Sequence, residues 1–150
     1  MKDSKQLSHF GLWPSLITPE LIGQGIHFSD VQWIPGGSDE LVWCQSENGK
    51  ATLMTNMGSY LPWEIALSFN PAGGVGYGGG EFSAGKHGVA FDERNGRLYY
   101  APYWLEPVRV LTPGFGSCAS PALSPDERCV AFVHTYEDRD VLAIVGLDGN

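Results

Sequence analysis

A strand–turn–strand unit recurs three times along this chain, and few folds accommodate such a repeat. The clearest copy is Ser120 to Val133, SPALSPDERCVAFV. Pro125-Asp126-Glu127-Arg128 places Pro and Asp at turn-forming positions. Cys129 to Val133 is a short apolar run rich in strand formers. The same order stands upstream, where Ser29 to Gly37 leads, with one extra turn residue, into Leu41-Val42-Trp43-Cys44. A weaker copy, Gly88 to Phe91, lies between them and is followed by a turn at Asn95-Gly96. The strand after each copy aligns as well, because Leu53, Leu98 and Leu142 stand 45 and 44 positions apart. A period of about 40–45 residues built only of strands is the signature of propeller blades. The expected fold is all-β, a partial β-propeller of about three four-stranded blades, the third incomplete, preceded by an arm with a short helix.

Taken in order, residues 1–25 form that arm. Thr18-Pro19-Glu20 reads as a helix start, with an N-cap, a proline at the first helical position and an acid in the first turn. Gly23 and Gly25 end it. The aromatic leader before it must dock, either on the propeller's own face or on a second domain. The blades are expected over about 26–70, 82–114 and 118–150. Within them, Glu47-Asn48-Gly49-Lys50 is a hairpin turn, and Asn95-Gly96 stands where a tight turn wants positive φ. Trp33, Trp43, Phe91 and Phe132 are read as equivalent positions packing one blade on the next. Tyr60, Trp63, Tyr77 and Trp104 fall in connecting regions, where they are candidates to line a channel or an interface. Leu147-Asp148-Gly149-Asn150 reads as a turn after the third strand of the last blade. That leaves sheet edges and an apolar flank open, so the chain is expected to be a fragment that by itself is poorly soluble or self-associating.

Composition agrees with an all-β chain. The 20 Gly and 10 Pro make one residue in five, against a usual share of about 12%, and imply many turns. A net charge of −8 repels phosphate backbones and argues against a nucleic-acid partner. No run reaches the roughly 18 apolar residues of a membrane span, and the N-terminus lacks the apolar core of a signal peptide. A cytoplasmic location is expected. Three cysteines, Cys44, Cys118 and Cys129, suit a reducing compartment and are read as buried small hydrophobes. A hairpin turning near Asp126-Glu127 sets Cys129 opposite about Ser124 and Cys118 opposite about Thr135, so these two are not neighbours.

The catalytic motifs within reach all fail on context. Gly74 to Gly79 matches G-x-G-x-x-G, but Asn70-Pro71-Ala72-Gly73 precedes it instead of a strand, and more glycine follows instead of a helix. Gly80 to His87 is one residue short of a P-loop, with His87 where Ser or Thr must hold Mg²⁺. His9, His27, His87 and His134 show no metal-ligand spacing. Asp138-Arg139-Asp140 lacks the glycine and distal Glu of a calcium loop. Gly36-Gly37-Ser38-Asp39-Glu40 lacks the last glycine of a nucleophile elbow. No catalytic nucleophile, metal or cofactor is assigned.

Three stretches resemble the N-terminal propeller of the prolyl oligopeptidase family of serine peptidases, in its acylaminoacyl-peptidase and dipeptidyl-peptidase-like branch. They are Gly11 to Glu20, Val75 to Phe82 with its Tyr-Gly-Gly-Gly run, and Ser120 to Phe132. The resemblance implies a propeller that caps a C-terminal α/β-hydrolase domain, admits short peptides and keeps folded proteins from a Ser-Asp-His triad lying beyond Asn150. It carries no catalytic residue onto this chain. It offers Tyr77, Gly78, Gly79, Gly80, Glu81 and Phe82 as part of the face toward substrate and hydrolase, and Trp13 and Pro14 as part of an interdomain arm. The basic residue often found ahead of the glycine run is replaced here by Gly73 and Gly74. The alternative is a propeller of TolB or WD type that serves as a protein-binding scaffold.

Overall fold

The structure, a computed structural model, describes residues 25–59, 61–72, 80–104 and 107–148. Its described residues hold eleven strands and no helix. The helix expected from Thr18 lies outside them, as do Trp13 and Pro14.

The strands form three antiparallel sheets, each built from strands consecutive in sequence. The first contains β1 (His27–Trp33), β2 (Leu41–Glu47), β3 (Lys50–Thr55) and β4 (Trp63–Ile65). The second contains β5 (Phe82–Ala84), β6 (Gly88–Asp92), β7 (Leu98–Pro102) and β8 (Arg109–Val110). The third has only three: β9 (Ser117–Leu123), β10 (Cys129–Tyr136) and β11 (Arg139–Gly146). Turn chemistry explains the hairpins. Asn48 and Gly49 both take positive φ, 52° and 78°, the two-residue turn whose twist matches the flanking strands. In the second sheet only Gly96 of the Asn95-Gly96 pair does so, with φ 82°. Gly96 N–H donates to Glu93 O and Glu93 N–H to Arg97 O. This is a type I turn closed by a left-handed glycine, one step wider than the tight turn expected from the sequence.

The pairing register shows how the repeat is used. Leu53, Leu98 and Leu142 pair with Cys44, Asp92 and Val133. Trp43, Phe91 and Phe132 pair with Met54, Tyr99 and Ala143. Side chains alternate across a strand, so each sheet has a front, carrying the Trp43, Phe91 and Phe132 column, and a back, carrying the leucine column. The back of the first sheet, with Val42, Cys44, Leu53 and Ile65, packs against Phe82, Val89 and Phe91 on the front of the second. The back of the second, with Ala90, Leu98 and Tyr100, packs against Val130 and Phe132 on the front of the third. One docking rule is thus used twice, and each buried leucine contributes about 2–3 kcal/mol of apolar transfer.

Trp33 departs from the expected column. It sits on β1 opposite Leu41, where its counterparts are Ala84 and Leu123, and it is 67% exposed. Cys118 lies opposite His134 and not Thr135. The cause is a bulge: Ser120, at φ 54°, and Pro121 together face Phe132, which moves every earlier residue of β9 by one. Cys44 and Cys118 are buried as expected, whereas Cys129 is half-buried, and all three are free thiols.

First strands lie beside one another, and their unpaired edges are satisfied by side chains. Gln32 Nε2 donates to Phe82 O at 2.8 Å, and Ala84 N–H returns a bond to Gln32 Oε1 at 2.9 Å. Leu123 N–H donates to Ser83 Oγ at 3.0 Å. Without these, the edges of β5 and β9 would carry backbone groups short of partners.

Candidate functional site

Of the passage expected to face substrate, Tyr77, Gly78 and Gly79 lie outside the described residues. Gly80, Glu81 and Phe82 lead into β5 at the point where the three sheets meet. Phe82 is core, wedged against the first sheet. Gly80 stands between two other sheets. Its N–H donates weakly to Asp30 Oδ2 of β1 at 3.4 Å, and a Cβ on it would come within 3.1 Å of Ser120 Oγ in the β9 bulge. Its φ of 77° is a second reason for glycine.

Glu81 is the unexpected member. Phe82 pairs with Phe91, and Asp92 N–H donates to Glu81 O at 3.0 Å, so Glu81 and Asp92 oppose each other across β5 and β6. Two acids in this arrangement repel, and here both are buried, Asp92 completely. Among the described residues neither oxygen of Asp92 has a hydrogen-bond partner, nor does Glu81 Oε2. Loss of solvent, the largest effect, raises the Asp92 pKa to about 7, with the Glu81 charge adding to it. The nearby Ser120 amide pulls the other way without forming a hydrogen bond of ordinary geometry. The chemical consequence is that Asp92 takes up a proton near neutral pH, which removes the repulsion within the pair. Burial, helped by Glu81 and Asp30, likewise pushes the Cys44 thiol up, leaving it a poor nucleophile.

A second polar junction sits at the opposite end of the first strands. Glu127, in the Ser-Pro-Asp turn of the third sheet, accepts from the backbone amides of Lys86 and His87 in the β5–β6 turn. Its Oε2 lies 3.2 Å from His87 Nδ1. Tyr103 Oη donates to Gly85 O at 3.0 Å in the same turn. Of the residues that looked like a damaged P-loop, Phe82–Ala84 are therefore strand β5, and Gly85 to His87 are a turn held by a carboxylate. Ser124 Oγ and Asp126 organise the Glu127 turn from within, the Ser124 hydroxyl donating to Asp126 Oδ1 and accepting from Cys129 N–H. Beside this junction, Trp104 walls a cleft of about 290 Å³ that Ile34, Glu40, Lys86 and His87 also line. Trp63 packs on the same ring at 6.4 Å between centroids. These two expected interface aromatics therefore meet, while Tyr60 lies outside the described residues.

Among the described residues no group of three or more His, Cys, Asp or Glu side chains is placed to hold a metal ion, and no helix is long and apolar enough to cross a membrane. Asp92, Asp30, Ser120 and Glu127 were not singled out by sequence reasoning. One signal was present for Asp92: it shares a column with Cys44 and Val133, an acid where its counterparts are a thiol and an apolar side chain.

No family model matches the sequence, and no curated protein is similar to it. The all-β class, with three antiparallel sheets docked back to front, is what the fold itself defines.

Proposed function

We propose that this chain is a propeller segment of a serine peptidase of prolyl oligopeptidase type, and that it gates the access of short peptides to an α/β-hydrolase domain carried by the same polypeptide. The observation that carries the propeller reading is the repeated docking rule: consecutive antiparallel meanders, two of four strands and one of three, stack back to front with their first strands adjacent, as blades around an axis do. The peptidase reading rests on the likeness of Gly11 to Glu20 and Val75 to Phe82 to that family. A ring of such sheets leaves an axial channel lined by first strands, which in this reading admits short peptides and excludes folded proteins. Gly80 and Glu81 open β5, so they stand at the end of such a channel. In this reading the chain supplies the gate and not the nucleophile.

The test is to read the transcript encoding this chain on both sides of it. Further strand repeats of about 45 residues followed by a Gly-x-Ser-x-Gly elbow support the proposal. Further repeats ending without that elbow would replace it with a TolB- or WD-like binding scaffold, since fold alone does not fix function.

A further inference from the structure

Trp104 is held in place and yet left uncovered. Gly58, at φ 65°, lies so close that a Cβ on it would come within 3.0 Å of the Trp104 ring. Trp63 packs beside the same ring and is itself fixed, its Nε1 donating to Met57 O at 3.0 Å. Trp104 is nevertheless 57% exposed, where it walls the cleft of about 290 Å³. A fixed, uncovered tryptophan is a contact surface that costs little entropy to use. Further apolar wall comes from buried Ile34 and half-buried Met57.

Two opposite charges line the same cleft. Glu40 stands just before β2, and Lys86 in the β5–β6 turn that Glu127 holds by its backbone amides. No ion pair joins the two. Glu40 Oε1 accepts from Gly58 N–H at 3.3 Å, while Oε2, for which Gly37 leaves room, has no hydrogen bond among the described residues. Lys86 Nζ has no partner among them either. One exposed lysine left to water would mean little. A carboxylate and an ammonium group that line one small cleft without meeting are each open to the opposite charge of a single ligand.

We propose that this cleft binds a free aromatic amino acid as its zwitterion. The ligand's ammonium group sits on Glu40, its carboxylate on Lys86, and its ring on Trp104. Size agrees, since the cleft falls at the lower end of the range of about 300–1,000 Å³ that admits drug-sized ligands. A free amino acid carries both charges on one carbon, whereas the residues of a peptide have lost them and the two ends of a dipeptide hold them a peptide unit apart. Analogues lacking either charge would leave one of the two side chains covered and unpaired, which is how such sites discriminate. The cleft lies at the end of the first strands opposite Gly80 and Glu81. The inference rests on it and not on the peptidase reading, so either can fail alone.

Equilibrium dialysis of the full chain against radiolabelled L-phenylalanine tests it. The expected result is saturable binding of one ligand per chain. L-Tyrosine and L-tryptophan should compete. Phenylpropionate, which lacks the ammonium group, phenethylamine, which lacks the carboxylate, and phenylalanyl-phenylalanine should each compete at least tenfold less well. Glu40→Gln keeps an oxygen for the Gly58 amide and Lys86→Gln alters an exposed side chain. Both should therefore keep the parent's circular dichroism while weakening phenylalanine binding at least tenfold. Selectivity is the readout that a merely structural role would not move. Glu40→Gln should abolish the preference for phenylalanine over phenylpropionate, and Lys86→Gln the preference over phenethylamine. Absence of saturable binding at millimolar ligand would overturn the inference. So would binding that survives both charge variants unchanged, or an analogue lacking one charge that binds the parent as tightly as phenylalanine.

Discussion

Replacing Asp92 with asparagine should abolish a pH dependence of stability that the parent chain carries across neutral pH. The Asp92 carboxyl has a pKa of about 7 in the folded chain against an ordinary value of 3.8. Between those values the folded state binds more protons than the unfolded state, so stability falls as pH rises from about 4 to about 7 and is level above that. At 1.36 kcal/mol per pH unit, the gap amounts to a loss of order 4 kcal/mol across the window. The asparagine side chain would be neutral at every pH and nearly the same shape. Urea midpoints at fixed protein concentration, taken at pH 5, 6, 7 and 8, should decline for the parent and stay level for Asp92→Asn. At pH 5, about 1.2 units above the ordinary value, the variant would already lead by about 1.6 kcal/mol, and by pH 8 by about 4. Glu81→Gln should flatten the parent's decline only in part, because burial and not the Glu81 charge is the larger cause. Parallel curves for the parent and Asp92→Asn would refute the reasoning, since they would mean that Asp92 titrates alike folded and unfolded.

Other perturbations follow from single contacts. Glu127→Gln keeps the turn but removes the charge that the Lys86 and His87 amides donate to, and should cost about 2 kcal/mol in urea unfolding. Gly80→Ala meets both a positive φ and Ser120 Oγ, and should cost about 1–2 kcal/mol by the same assay. The β10–β11 turn places Glu137 and Asp138 at φ 47° and 57°, where its counterpart in the first sheet has Asn48 and Gly49. Glu137→Asn with Asp138→Gly should therefore stabilise the chain by about 1 kcal/mol. Leu98→Ala should cost about 3 kcal/mol and Leu142→Ala less than about 0.5, although the two leucines share a column.

That leucine column was legible in the sequence, and so was the aromatic one of Trp43, Phe91 and Phe132, because inter-sheet packing selects bulk at a fixed place in each repeat. Trp33 was not, since among the described residues no other sheet packs on its face of the first sheet, and an exposed tryptophan reads like a buried one. Strand order followed from turn residues, but register did not. The turn at Asn48-Gly49 has two residues, whereas the one before Arg97 is wider, so the partner of Leu98 depends on a turn type that Asn-Gly alone does not determine. For the same reason the sequence alone does not assign Asp92 to the apolar back. The bulge at Ser120-Pro121 was hidden too, because the sequence does not reveal which two residues share one partner. Of the expected substrate-facing passage, Glu81 lies at the sheet junction and is buried opposite Asp92, a cross-strand pairing that no local pattern encodes.

Labelling with a fluorophosphonate, which modifies the activated serine of serine hydrolases, tests the functional account most directly. The polypeptide bearing this sequence would be captured from its own cells with an antibody to residues 25–59 and exposed to the probe. The account predicts a labelled band well above 16.3 kDa, with labelling blocked by short peptide substrates and not by folded proteins. A captured polypeptide of any size that stays unlabelled, beside a labelled serine peptidase in the same extract, would contradict it.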